Sequence, residues 1–140
     1  RGKVLFTRDT HFENYLDTRE GKNLPVVHCI KGTPGWELYG QTAAACAEVS
    51  APAIDKLVFG MDVTDPATAA VLPEAADEIE LVGLVSNICV VSNALILKAF
   101  MPEIKISVDA SCCAGVTPQK HRAALETMRS CQIQISNDLR

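Results

Sequence analysis

The chain has 140 residues, of which 48% are hydrophobic and 21% are charged, and its formal net charge is −4. This composition is typical of a globular protein with its own core, and the weak negative charge argues against binding to nucleic acid or to an anionic membrane. Aromatic residues make up only 5%, too few for a base-stacking platform, and no apolar run approaches the roughly 20 residues of a membrane span.

The cysteines and the start of the chain indicate where the protein works. The chain begins with charged residues that run into a strand, which is not the pattern of a secretory signal. The six cysteines include the adjacent pair Cys112 and Cys113 in an apolar strand end, which does not suit a disulfide scaffold. We therefore expect a reduced, cytoplasmic protein in which most cysteines are small buried hydrophobic residues.

Strands and helices alternate along the sequence. The pattern predicts strands over residues 3–9, 53–59, 78–86, 103–111 and 131–135, and helices over residues 38–49, 65–76, 90–101 and 117–130. Asp65 and Thr117 each precede a proline and open a predicted helix, and the strand at 78–86 is apolar enough to be covered on both faces. The alternation predicts a single α/β domain, a three-layer, doubly wound, Rossmann-like parallel sheet flanked by helices.

Three reactive side chains fall at or toward the carboxyl ends of predicted strands. These residues are Asp9, Lys56 and Cys89. In open parallel sheets ligands bind at that edge, so all three side chains could face one crevice.

Cys89 follows a strand and a short polar turn and precedes a predicted helix. A helix N-terminus lowers the pKa of a cysteine, and a thiolate there has the geometry of a nucleophile elbow with sulfur in place of oxygen. The backbone N–H groups of such a turn can hold an oxyanion. The alternative is a buried cysteine in a packed crossing, and the sequence around Cys89 does not decide between the two.

Lys56 lies among apolar residues, where a lysine is costly unless its charge is paired or reaches solvent. Near a thiolate its ammonium group would stabilise the negative charge. A lysine at a strand end that reaches water is the alternative.

The long polar loop at residues 11–37 carries histidines and carboxylates, and long ordered loops are often functional. Asp9, His11, Glu20 and His28 offer nitrogen and oxygen ligands that suit Zn²⁺, Fe²⁺ or Mn²⁺. Their spacing matches no short zinc motif, so capping and loop hydrogen bonds are the alternative. His121, in the last predicted helix, is expected at the surface.

Five stretches, taken together, resemble the isochorismatase-like cysteine hydrolase superfamily and most of all its nicotinamidase branch. In chain order they are FTRDTH, LPVVHCIKGTPGWEL, IDKLVFG, VGLVSNICVVSNA and VDASCCAG. They lie in the order in which the family has them and extend over nearly the whole chain.

The resemblance implies a role for each matching residue. Cys89 would be the nucleophile, Lys56 its charged partner, and Val85 and Cys89 the donors of an oxyanion hole, with a cis peptide bond between Leu84 and Val85. The implied metal ligands are Asp9, His11 and His28, with Glu20 or Asp17 as the fourth. In these enzymes the metal, zinc or alternatively iron or manganese, orients the pyridine nitrogen of the substrate.

Two departures from the family pattern matter. Ser86 and Asn87 stand where the family usually has Thr-Asp. The family also begins with a strand ending in D-x-Q-x-x-F, which supplies the catalytic aspartate, and these residues contain no such segment. We therefore expect residues 1–140 to be a cysteine hydrolase domain lacking the family's first strand, either as a fragment of a longer chain or as a degenerate member without activity.

The expected reaction is hydrolysis of nicotinamide to nicotinate and ammonia through a thioester on Cys89. Pro25 stands three residues before His28, where nicotinamidases often have an aromatic residue, so another small amide, such as an N-carbamoyl compound or a ureide, is an alternative substrate. A vinyl-ether hydrolase would need neither the cysteine nor the metal ligands. Relatives are commonly dimers or tetramers, which implies a homo-oligomer acting on a small molecule.

Overall fold

The computed structural model describes residues 2–138, which form two compact units, one up to Met61 and the other from Asp62 onward. Over this range no helix combines the length and the apolar character that crossing a membrane requires. Each unit contains a parallel sheet, as the α/β prediction requires.

The first unit is built around two parallel strands. Its elements are β1 (Phe6–Asp9), a 3₁₀ turn (Tyr15–Asp17), α1 (Arg19–Asn23), α2 (Gly40–Glu48) and β2 (Ala53–Lys56). The strands pair from Phe6 beside Ala53 to Asp9 beside Lys56, which puts Asp9 and Lys56 next to each other at the carboxyl ends. The predicted strand starts three residues too early, because the ladder begins where the Phe6 N–H donates to the Pro52 carbonyl. All four residues of β1 are half-buried.

The second unit has three parallel strands in the order β3-β4-β5. Its elements are α3 (Pro66–Val71), β3 (Glu78–Leu84), a π-helical turn (Ser86–Val90), α4 (Val91–Phe100), β4 (Lys105–Ala114), α5 (Pro118–Ser130) and β5 (Gln134–Ser136). The core lies between the sheet and the last two helices. Its buried apolar side chains include Ala94, Leu97, Ile106, Val108, Ala124, Leu125 and Met128. The spacing on α5 is that of a helix with one apolar face.

Helix starts follow the predicted capping residues. The Asp65 carboxylate accepts a hydrogen bond of 2.8 Å from the Thr68 N–H, and the Thr117 hydroxyl accepts one of 3.2 Å from the Lys120 N–H. Both side chains satisfy N–H groups that the first helical turn leaves without a partner. Helix α3 ends at Val71, earlier than predicted, because Leu72 precedes a proline and is disfavoured in the helical conformation.

Two burial predictions are wrong. Side chains along β3 alternate between half-buried and exposed, and Val82 and Leu84 are 57% and 69% exposed, so one face is not covered. Among the described strands β3 pairs only with β4, which makes it an edge strand here. The cysteines are not buried either, because Cys112 is exposed and the other five are half-buried.

Candidate functional site

Four residues of the first unit converge on one point. Asp9, His11, Glu20 and His28 each offer one nitrogen or oxygen atom, and these four atoms lie within 4.8 Å of one another. They are the four residues that the sequence predicts as metal ligands. Asp17, the other predicted candidate for the fourth position, is exposed and lies outside the cluster.

The loop reaches the cluster by pairing with the chain that leaves β1. The His11 N–H donates to the Cys29 carbonyl at 2.9 Å, and the Lys31 N–H donates to the His11 carbonyl at 2.9 Å. These bonds form a parallel bridge between His11 and Ile30 and bring His28 beside His11. The imidazole centroids are 4.8 Å apart.

Glu20 is presented by the first turn of α1. The Thr18 hydroxyl accepts a hydrogen bond of 3.0 Å from the Gly21 N–H and donates one of 2.7 Å to the Tyr15 carbonyl. A side chain at position 21 would put its Cβ only 2.0 Å from the Tyr15 carbonyl oxygen, so only glycine fits there. The close packing of this turn therefore fixes the position from which Glu20 reaches the cluster.

A backbone contact sets the tautomer of His28. Its Nδ1 lies 2.7 Å from the Val26 carbonyl oxygen, which can only accept, so Nδ1 carries the proton. In the neutral ring Nε2 then keeps its lone pair, and Nε2 lies 3.7 Å from Asp9 Oδ2. Metal-binding histidines commonly have this arrangement, with the second nitrogen donating to a carbonyl.

Three atoms of the cluster are buried polar groups without a hydrogen-bond partner among the described residues, namely Asp9 Oδ1, His11 Nε2 and Glu20 Oε1. Orphaned buried groups are rare and costly, so three at one point indicate a site for a ligand. Two carboxylates lie here, and the ammonium group of Lys56 is beside one of them, with its Nζ 3.7 Å from Asp9 Oδ1. A divalent cation would balance the charge and satisfy all three atoms, so these residues fit a metal ion.

Tyr15 supports both imidazoles, a role that no sequence pattern indicates beyond its place in the loop. The side chain is 1% exposed, its ring centroid lies 4.6 Å from that of His11 and 5.1 Å from that of His28, and its hydroxyl donates to the Leu24 carbonyl at 2.9 Å. Burial raises the pKa of Tyr15, and the carboxylates of Glu20 and Asp9 raise it further.

Removing the Tyr15 ring should loosen the metal site. We expect Tyr15→Leu to weaken zinc binding by about 10- to 100-fold, because residues that orient metal ligands contribute on this scale. Tyr15→Phe keeps the ring and should bind zinc within about threefold of the wild type, although losing the bond to Leu24 costs about 1 kcal/mol of stability. Competition with a chromophoric chelator measures both affinities. Equal affinities for the two variants would rule out a supporting role for the ring.

Lys56 is buried, at 4% exposure. The alternative hypothesis, in which its side chain reaches solvent, is therefore wrong. Its ammonium group pairs with Asp9 and donates to the Val58 carbonyl at 3.4 Å. Its neighbour Asp55 is bound to Arg8 and Lys31 at 2.9 and 3.1 Å. Burial acts to raise the pKa of Asp55, but these cations outweigh it and hold the pKa below its ordinary value. Asp55 is thus a structural anion rather than a base.

In the second unit, Cys89 lies in the π-helical turn between β3 and α4 and is half-buried. The Val85 carbonyl accepts from the N–H groups of Ile88 at 3.1 Å and Val90 at 3.2 Å, and the Cys89 carbonyl accepts from the Asn93 side chain at 2.7 Å. The peptide bond between Leu84 and Val85 is cis, as the resemblance predicts. The turn therefore presents Cys89 at the head of a helix, as the sequence predicts.

His121 is not a free surface residue, contrary to the sequence prediction. It is half-buried, and its Nδ1 lies 2.8 Å from the hydroxyl oxygen of Ser86, the first residue of the turn. The two residues are 35 positions apart, and no local pattern signals such a pair.

Comparisons with known proteins show the family and the fold of the chain. A family model described as the Isochorismatase domain matches residues 1–138. A nicotinamidase/pyrazinamidase from Bacillus subtilis superposes with a TM-score of 0.82 at 23% identity, covering 96% of this chain and 75% of that one. A pyrazinamidase/nicotinamidase from Streptococcus mutans UA159 gives 0.75 at 25% identity, covering 95% and 75%.

A pyrazinamidase from Pyrococcus horikoshii, solved in complex with zinc, superposes with a TM-score of 0.69 at 22% identity, covering 96% of this chain and 74% of that one. A search of curated proteins gave no match. The structural comparisons confirm the predicted fold class. The prediction that residues 1–140 form a domain lacking the family's first strand stays a prediction.

Proposed function

Because the chain belongs to the isochorismatase domain family, a family of hydrolases, we propose that it is a cysteine amidohydrolase that converts nicotinamide and water to nicotinate and ammonia. The observation that carries this proposal is the cluster of Asp9, His11, Glu20 and His28, with its three orphaned buried atoms. Nicotinamidases and pyrazinamidases, one of them solved with zinc, are among the proteins that share the fold.

The cluster would hold the metal, and two of its properties suit zinc. Two imidazoles and two carboxylates form a mixed nitrogen and oxygen set, which Zn²⁺ accepts readily and which Fe²⁺ or Mn²⁺ also accept. His28 already presents a lone pair at Nε2. When bound, the metal supplies a Lewis acid that can hold the pyridine nitrogen of nicotinamide.

Cys89 carries the covalent chemistry in this proposal. Its thiolate attacks the amide carbon to form a C–S bond, and the negative charge moves to the carbonyl oxygen. The N–H groups of Val85 and Cys89 donate to that oxyanion. The C–N bond then breaks, ammonia leaves with one added proton, and water cleaves the thioester to give the acid and regenerate the thiol.

The resemblance makes Lys56 the charged partner of the thiolate in this scheme, and its buried ammonium group suits that role because a positive charge stabilises an anion. The resemblance assigns proton transfer to the aspartate of the family's first strand. Asp55 does not take that role, because it is bound to Arg8 and Lys31.

Another small amide is the second candidate substrate. Pro25 occupies the position where nicotinamidases often have an aromatic residue, and a proline ring cannot stack on a pyridine as an aromatic does. An N-carbamoyl compound or a ureide would not need that stacking partner.

Ammonia release from a panel of amides tests the proposal. The zinc-loaded complete gene product should release ammonia from nicotinamide, and a chelator should abolish the release. Release only from an N-carbamoyl compound or a ureide would favour the second substrate class. If the zinc-loaded protein releases ammonia from none of these amides, the result would favour a family member without catalytic activity.

We also propose a cytoplasmic homodimer or homotetramer. Light scattering coupled to size-exclusion chromatography measures the mass of the assembly, and a monomer at micromolar concentration would contradict the proposal.

A further inference from the structure

A second set of contacts ties the Cys89 turn to the beginning of α5. Ser86, the first residue of the turn, is 0% exposed, and its hydroxyl oxygen lies 2.8 Å from Nδ1 of His121. The neighbouring Asn87 accepts a hydrogen bond of 2.8 Å from the Val116 N–H through its side-chain oxygen. Two consecutive residues of the turn are therefore held by α5 and by the segment that leads into it.

The two segments are also packed too closely for any side chain between them. A Cβ at Gly115 would lie 2.8 Å from the backbone nitrogen of His121 and 2.9 Å from the Asn87 side-chain oxygen. Such distances leave no room for an alanine without a shift of backbone. The close contacts of Gly115 with His121 and with Asn87 therefore fix the turn against α5.

A serine within hydrogen-bond distance of a histidine has the form of a nucleophile and its base. Ser86 cannot act in that way, because its side chain is fully buried and a substrate carbonyl carbon could not reach its oxygen. Its place in the sequence points to another role, since it lies between Val85 and Cys89, the two proposed oxyanion donors.

We propose that Ser86 and His121 form a positioning pair, which fixes the backbone of the Cys89 turn so that its N–H groups meet the developing oxyanion. This inference rests on the proposed function. Oxyanion donors act through preorganised geometry, and a displacement of about 1 Å can cost about 100-fold in rate. The pair sets the geometry of the turn and does not touch the substrate.

The pair predicts a loss of kcat rather than of substrate affinity. We expect Ser86→Ala and His121→Ala each to lower kcat by about 10- to 100-fold, with KM within about threefold of the wild type. The double variant should be no worse than either single variant, because each removes the same bond. His121→Asn offers a side-chain amide at the position of Nδ1 and should recover most of the lost rate.

Arg122→Ala serves as the matched control, because Arg122 is exposed on the same helix turn. It should leave kcat and KM within about twofold of the wild type. Thermal unfolding of each variant shows whether it is folded. If an alanine variant does not fold, the kinetics of His121→Asn test the positioning role instead. Additive losses in the double variant, a rise in KM at constant kcat, or no recovery in His121→Asn would overturn the positioning role.

Alkylation of Cys89 separates this inference from the proposed function, because it needs no substrate. The rate of reaction with iodoacetamide at Cys89, followed by mass spectrometry, should fall about tenfold in His121→Ala and recover in His121→Asn, because the turn that activates the thiolate is displaced. An unchanged rate in a folded His121→Ala would overturn the positioning role. If no amide is hydrolysed but the alkylation rates follow this pattern, the proposed function fails and the positioning pair stands.

Discussion

Replacing Cys89 with alanine is expected to abolish amide hydrolysis, with kcat/KM at least about 10³-fold below the wild type. Alanine removes the sulfur that forms the thioester. The hydrogen bonds that shape the turn use the Val85 and Cys89 carbonyls, which the substitution keeps. The fold should therefore survive, and thermal unfolding should show a change of at most a few degrees.

Two further cysteine variants make this test specific. Cys89→Ser keeps nearly the same volume but offers a far weaker nucleophile, so it should be as inactive as Cys89→Ala. Cys112→Ala removes an exposed thiol elsewhere and should stay within about twofold of the wild type. Rapid quenching followed by peptide mass spectrometry should locate the acyl adduct on Cys89. An active Cys89→Ser, or an adduct on another residue, would contradict the thioester mechanism.

Losing one ligand of the cluster is expected to empty the metal site at micromolar zinc. His11→Ala removes the most buried member, at 6% exposure, and should weaken zinc binding at least about 100-fold, because each ligand contributes a large share of the total binding free energy. Metal analysis should find about one zinc per wild-type chain and a small fraction of that in the variant. Zinc should also raise the unfolding temperature of the wild type and not that of His11→Ala.

A matched pair of variants identifies the fourth ligand. Glu20→Gln replaces the carboxylate whose Oε1 is buried and lacks a hydrogen-bond partner among the described residues, and it should weaken zinc binding strongly. Asp17→Asn makes the same chemical change three residues earlier at an exposed position and should bind zinc within about threefold of the wild type. The reverse result would assign the fourth position to Asp17. Equal binding by all variants would mean that the zinc lies elsewhere.

Much of the fold follows from patterns that are local in sequence. Asp65 and Thr117 cap helices as predicted, because a side chain that accepts a hydrogen bond from an N–H three residues later needs no distant partner. The alternation of strands and helices predicts the parallel arrangement for the same reason, since each element has its own periodicity. The exact strand ends were not predictable, because β1 begins where Pro52, the residue before β2, provides a hydrogen-bond partner.

The candidate site likewise has a part that the sequence predicts and a part that it leaves open. Residue types and spacing raised Cys89, Lys56 and the loop histidines as candidates, and the family resemblance gave each of them a role. The choice between Glu20 and Asp17 stayed open, because both lie in one polar stretch of the loop. It depends on a helical turn in which Gly21 lies against the Tyr15 carbonyl.

The order of the elements, the helix caps, the family and the set of reactive side chains can be predicted from the sequence alone, because they follow from local periodicity and from motifs of a few residues. Three contacts could be found only in the folded chain: Lys56 is buried beside Asp9, Tyr15 supports two imidazoles, and His121 binds Ser86. A hydrogen bond or an ion pair forms only when two atoms come within about 3 to 4 Å. For residues 35 or 47 positions apart, folding of the intervening chain sets that distance.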